Sequence, residues 1–340
     1  MSTSWAGGGH NGAAATRGEP VRTLYYERYG PPEVLELREV ERPTPAPGEV
    51  LIRVKNVSLN ASDWETLVGK PLYARIGGPF CPGDRFPGSD IAGIVDSVGE
   101  GVGRFRSGDA VFGDLLWHGL GGLADYVSVS EKATLALIPA GVSFEQAAAL
   151  PQAGVIALQV TAGLEEGQEV LITGAGGGAG TLAIQLAKQA GTRVTGVDNG
   201  WKLDLMRSLG ADEVIDYTRS DYTRSGRRYH HIIDLAGYRS ALAVRRALAE
   251  GGRSAMVGGS VPSMLQTFLL GPLLRVGGRR MGVFMVRPNS ADLLRVGEMV
   301  AAGTLAPAID RVYPLEEAAE AYARMGEGKA LGKVIISTGS

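Results

Sequence analysis

The stretch VLITGAGGGAGTLAIQLAKQAG, residues 170–191, decides the fold of this 340-residue chain. It sets six glycines between and around an apolar run and a helical pattern. Glycine alone is weak evidence, because the chain contains 50 of them. Position carries the argument: between a strand and a helix, glycines let a phosphate approach the free N–H groups of the helix start. "EVLITGA" (169–175) reads as the strand, and "LAIQLAKQA" puts Leu182 and Leu186 on one helix face. Read from Ala175, the spacing is A-x-G-x-x-G through Gly177 and Gly180. A small residue at the first position still makes the turn, Gly177 admits a pyrophosphate to the backbone, and Gly180 lets helix and strand pack closely. Roughly 20 residues on, where an acidic side chain is expected to bind the adenosine ribose, Asp198 closes the strand "VTGVD". This order predicts a dinucleotide site. A carboxylate at Asp198 favours NADH, since it would repel the 2′-phosphate of NADPH. Lys202, just beyond, either reaches a phosphate or is a solvated helix-start lysine.

Further strand patterns follow at "RVTGVD" (193–198), "EVIDY" (213–217), "HHIIDLAG" (230–237), "RSAMVGG" (253–259) and "RRMGVFMV" (279–286). With crossover helices such as "KLDLMRSLG", apolar at Leu203, Met206 and Leu209 and stopped by Gly210, they predict an α/β fold with one doubly wound parallel sheet. Upstream, "EVLIRVKNVSLN", "IAGIVDSVGE", "DAVFG" and "ADYVSV" are short β-rich runs broken by Pro and Gly, the texture of an irregular β domain. The expected division is a disordered tail over 1–20, a β-rich domain over 21–145 and 287–340, and a dinucleotide-binding domain over 146–286. The direct repeat "DYTRSDYTRS" (216–225) is too short for a solenoid and is expected to be a loop.

Composition excludes several function classes. Lys and Arg number 34 against 36 Asp and Glu, a net charge of -2, which does not suit nucleic acid or an anionic membrane. The single cysteine, Cys81, permits no disulfide within the chain, and no basic neighbour in sequence activates it. With histidines only at 10, 118, 230 and 231, no metal-ligand spacing is present. His118 reads as a loop residue rather than a catalytic acid. No signal sequence and no long uncharged apolar run is visible, so a soluble, cytoplasmic protein is expected.

The segments "SLNASDW" (58–64), "FPGSDIAGIVDSVGEGVGRFRSGDAVFG" (86–113), "LADYVSV" (123–129), "RSLGADEVIDYT" (207–218), "AIDRVYPLEEAAEAY" (308–322) and "GKVII" (332–336) carry a resemblance. Over residues 22–337 the chain resembles the medium-chain dehydrogenase/reductase superfamily, in its zinc-free quinone oxidoreductase (zeta-crystallin-like) branch. The resemblance implies a GroES-like catalytic domain, a Rossmann domain, a cleft between them for cofactor and substrate, and a homodimer. Zinc-using relatives carry Gly-His-Glu where this chain has Gly88, Ser89 and Asp90, and a cysteine near "LNASD". Neither ligand is present here, which implies no metal and disfavours simple alcohol oxidation.

The implied reaction is hydride transfer from nicotinamide C4 of NADH or NADPH, the latter common in the branch, to a quinone or an α,β-unsaturated carbonyl. Asn60, Asp63 and Tyr73 are implied nearest the chemistry, with Trp64 and Trp117 as walls. For the cofactor the assigned positions are Gly174, Ala175, Gly177, Gly178, Ala179 and Gly180 in the loop, Asp198 and Lys202 after the second strand, and Tyr217, Gly258 and Lys333 elsewhere. Ile156 departs from the usual Thr beside the nicotinamide, which leaves open a biosynthetic enoyl reductase or altered chemistry. A non-catalytic nucleotide-binding scaffold is a further alternative. The apolar helical pattern over 260–278 is expected to line a lipophilic site or bury a contact with a second copy.

Overall fold

The computed structural model describes residues 20–76, 78–273 and 276–340. The expected tail over 1–20 therefore lies, but for Pro20, outside the described residues.

The β-rich half starts with an antiparallel pair, β1 (Val21–Tyr25) and β2 (Glu36–Val40). Its main sheet is built on the long β3 (Glu49–Leu59), followed by β4 (Asp90–Val98), β5 (Ala110–Asp114), β6 (Tyr126–Ser130) and β7 (Thr134–Leu137). Helix α1 (Ala61–Val68) leaves the end of β3. Alternation along β3 buries Val50, Ile52 and Val54 in a core shared with Leu123, Leu135 and Tyr322.

The run from Ser143 folds as α2 (Phe144–Ala148), capped by the Ser143 hydroxyl, and α3 (Pro151–Val160), opened by Pro151 at its first turn. The parallel sheet then follows the expected rhythm: β8 (Glu169–Thr173), α4 (Gly178–Gln189), β9 (Arg193–Asp198), α5 (Leu203–Ser208), β10 (Glu213–Asp216), β11 (Tyr229–Asp234), α6 (Ala241–Ala247), β12 (Leu248–Met256), α7 (Val261–Leu270) and β13 (Arg280–Val283). The strand order β10-β9-β8-β11-β12-β13 is that of a doubly wound nucleotide-binding sheet, with its switch point between β8 and β11. The chain then returns through α8 (Ser290–Ala301), β14 (Ile309–Pro314), α9 (Ala318–Gly326) and β15 (Lys333–Ser337), and the last two strands join the first half in the order β14-β15-β3-β4-β5-β7. Leu293 and Val296 of α8 share a core with α3, α4, Phe112 and Ala136, so one apolar layer ties the two sheets together.

Of the six expected strands only β9 has its expected bounds; β8, β10 and β11 end one to three residues early, and β12 and β13 depart further. β13 stops at Val283 rather than 286, at the sheet's edge, where the chain leaves toward α8. β12 begins five residues earlier than its pattern suggests, because a register irregularity between Tyr229 and His231 lets Leu248 pair with Tyr229. The DYTRS repeat is a loop with internal symmetry. Asp216 Oδ1 accepts from the amide and hydroxyl of Thr218, and Asp221 Oδ1 accepts the same pair from Thr223. Only the second tyrosine, Tyr222, is buried.

Candidate active site at the junction of the two sheets

Strand register brings the polar groups of the first half together. Across β3, β4, β5 and β7, Ser58, Asp90, Asp114 and Thr134 stand in one row. Two carboxylates directly opposite one another repel. Asp90 is fully buried, and its carboxylate accepts the amide of Gln152 at 3.2–3.3 Å, so it caps the first turn of α3 from outside the helix. Asp114 Oδ1 accepts the Leu116 amide and the Gln152 side-chain amide.

Asn60 ends β3 in extended conformation and starts α1. Asp63, three residues on, returns its carboxylate to the Asn60 amide at 2.8 Å, the reciprocal half of a capping box. The same Oδ2 accepts Ser89 Oγ at 2.9 Å. Ser89 in turn accepts Asn60 Nδ2 at 3.2 Å and Gln152 Nε2 at 2.9 Å, which uses all its hydrogen-bonding capacity. Lys333, 3% exposed, reaches in from β15 to donate to Asn60 Oδ1 at 2.7 Å and to Asp90 Oδ2 at 3.5 Å.

Three buried carboxylates thus share one buried ammonium, and their affinities for protons move accordingly. Burial, with Asp90 close by, pushes Asp63 up to about 6. Burial and the same neighbour push Asp114 up to about 7. Asp90 also rises through burial, against the pull of Lys333. Burial lowers Lys333, against the attraction of the carboxylates.

The donor set at Gly88-Ser89-Asp90 does not fit zinc. A neutral hydroxyl stands in the histidine position, and the carboxylates hold N–H and ammonium donors at the distances given.

The glycine loop is shaped for a dinucleotide. Gly174 has φ +64°, and a Cβ on Gly180 would stand 2.2 Å from the Gly174 carbonyl, so helix α4 lies as close to β8 as glycine allows. Gly177 is the N-cap of α4, and the amide-rich start of that helix is of the kind that can hold a phosphate. Asp198 is buried, and its two oxygens accept the amides of Gly176 and Asn199 at 2.9 and 2.8 Å. Lys202 Nζ lies 3.6 Å from it. At 7% exposure Lys202 is not the solvated lysine that its helix-start position allows; its stem packs over Gly176. Tyr217 is exposed and accepts Asn199 Nδ2 at 3.4 Å, and Gly258 follows β12 with φ +78°.

The remaining candidates distribute differently. Tyr73 stands apart from the Asn60 cluster, with its hydroxyl donating to Glu65 at 3.1 Å; burial and that carboxylate raise it to about 12. The Trp64 ring packs over Gly326 of α9. Trp117 and His118 are exposed. Cys81 is free and exposed. Ile156 packs against the shared core on α3. Sequence reasoning missed Asp114 and Gln152. A charge closing the apolar strand "AVFGD" was the available signal for Asp114; nothing local marks Gln152, whose role comes from packing.

Known proteins agree with this architecture. A family described as alcohol dehydrogenase GroES-like domain matches residues 46–140, and one described as zinc-binding dehydrogenase matches residues 209–336. The chloroplast envelope quinone oxidoreductase homolog of Arabidopsis thaliana is 32% identical over 94% of this chain and 99% of its own length. The chloroplastic NADPH-dependent alkenal/one oxidoreductase of the same plant is 30% identical over 95% of this chain and 81% of its own. The quinone oxidoreductase of Coxiella burnetii superposes with a TM-score of 0.84 at 29% identity, covering 94% of this chain and all of that one. With an Asn60-centred polar cluster set beside a dinucleotide loop and this likeness along nearly its whole length, the chain belongs to the quinone-oxidoreductase-like branch of the medium-chain dehydrogenase/reductase superfamily.

Proposed function

We propose that the protein is an NAD(P)H-dependent reductase of quinones or α,β-unsaturated carbonyls. The observation that carries this reading is the placement of the Asn60 amide beside the glycine loop: Gly332 donates its amide to Gly176 O at 2.9 Å, and the next residue, Lys333, holds Asn60. The bound nicotinamide supplies the hydride. The chain's own work is to hold the acceptor's oxygen against the Asn60 N–H, which stabilises the oxyanion as it develops, and to keep water out. Asp114, pushed up to about 7, is partly protonated at neutral pH, and Asp63, pushed up to about 6, takes up its proton just below, both within the same hydrogen-bonded cluster. That the relatives' names include quinone and alkenal/one oxidoreductases supports the acceptor class.

Asp198 would favour NADH if its charge stood alone. With Lys202 3.6 Å away and two backbone amides on its oxygens, that charge is largely compensated, and the reading extends to both cofactors. A homodimer belongs to the same reading: Leu265, Phe268 and Leu269 of α7 are exposed on the helix beside the edge strand β13. The test is spectrophotometric oxidation of NADH and NADPH against a panel of quinones and enones. Turnover with members of either class supports the reading, and no oxidation with any of them overturns it.

A further inference from the structure

Lys333 lies within reach of both halves of the site. The residue before it is held at the cofactor loop, where Gly332 and Gly177 form a bridge and the Gly332 amide bonds Gly176 O, while the Lys333 amide itself bonds Ala308 O. Its stem lies on the same loop, since a Cβ on Gly178 would stand 2.5 Å from Lys333 Cδ. Its head, however, is buried on the other side, 2.7 Å from Asn60 Oδ1.

An ammonium has donors only, and an amide has one acceptor end and one donor end. The atom of Asn60 facing Lys333 must therefore be the oxygen. Ser89 could accept or donate, so it does not by itself decide which way the amide points. Lys333 does. With the oxygen taken and one N–H on Ser89, the second N–H of Nδ2 is what Asn60 has left for a ligand, in competition with the Asp90 carboxylate, which also draws on the Asn60 side chain.

We propose that Lys333 is a positioning residue: it fixes the Asn60 amide with its nitrogen available to the acceptor's oxygen, and transmits the state of the cofactor loop to that amide. This rests on the reductase reading for its catalytic consequence, but its geometric content stands apart from activity. A residue serving only to balance Asp90 would not act through Asn60, and a direct cofactor ligand would be felt first in cofactor affinity.

The experiment compares Lys333→Met, Lys333→Arg, Asn60→Ala and the double variant Lys333→Met/Asn60→Ala as full-length proteins. With the best quinone or enone acceptor, Lys333→Met is expected to lower kcat by about tenfold or more while the cofactor Kd moves by less than about threefold. Lys333→Arg, which keeps a donor, restores part of the loss. The double variant should be no worse than Asn60→Ala alone, because both changes remove one device. In parallel, the Asn60 side-chain amide resonances, assigned by their disappearance in Asn60→Ala, should move in Lys333→Met and should respond to NADPH in the wild type but not in that variant. Additive losses in the double variant, or an Asn60 amide unmoved by Lys333→Met, overturn the proposal. If the wild type reduces no acceptor, the reductase reading falls, and the resonances still decide the role of Lys333.

Discussion

Ser89 Oγ donates to Asp63 Oδ2 at 2.9 Å, and this short contact joins the loop before β4 to the first turn of α1. The same oxygen is the acceptor for two amide donors, Asn60 Nδ2 and Gln152 Nε2. Ser89→Ala would strand both donors in a buried place. The expected cost is about 1–3 kcal/mol of unfolding free energy, read from urea denaturation. A change below about 0.5 kcal/mol would mean that the donors find other partners, and that the cluster is looser than its geometry indicates.

Asp114 gives a pH signature whose sign follows from its raised proton affinity. The native carboxyl, at about 7, binds its proton more tightly than the unfolded one, at about 3.9, so stability falls as pH rises between those values and the cost is complete above them. Asp114→Asn removes that cost and keeps an acceptor for the Leu116 amide. The variant is expected to melt a few degrees higher than the wild type at pH 8, with the gap closing toward pH 4. His231, pushed down to about 4 by burial and by Arg253, works in the opposite direction as pH falls below about 6.5. It is common to both proteins and cancels in the difference. An equal melting difference at pH 8 and pH 4.5 would show that Asp114 is not the titrating group.

Lys202 should set cofactor preference through Asp198. In the wild type, the dissociation constants of NADH and NADPH are expected to lie within about tenfold, or ~1.4 kcal/mol, by fluorescence titration. Lys202→Met leaves the Asp198 carboxylate without its nearby ammonium, and NADPH binding should weaken by tenfold or more relative to NADH. Equal weakening of both cofactors would place Lys202 on the shared phosphates instead.

The exposed face of α7 should hold a second copy. Phe268→Glu is expected to convert a dimer to monomer in sedimentation, with the melting curve of the monomer retained, because the side chain is exposed and packs in no internal core. A wild-type protein already monomeric at tens of micromolar would remove the basis for the dimer.

What the sequence by itself determined is local and periodic. The alternation of β8 and β9, the glycine spacing from Ala175 to Gly180, and Asp198 at a strand end all lie within about thirty residues, and strand and helix periods are short-range properties of the chain. The parallel, doubly wound character of the sheet and the glycine loop were therefore legible before any coordinates. Asn60 stood out only through the family resemblance.

The tertiary structure decided where charges go. Asp90 and Asp114 face each other only because β4 and β5 pair in one register, and a slip of one residue would turn their side chains to the other face. Lys333 is 273 residues from Asn60, and no period or spacing connects them. Lys202 looked like a surface lysine by position, yet it is buried against Gly176 and Asp198. Burial, partners and proton affinity are properties of packing between distant segments. They exist only once β15 has crossed to the glycine loop and closed the sheet beside β3.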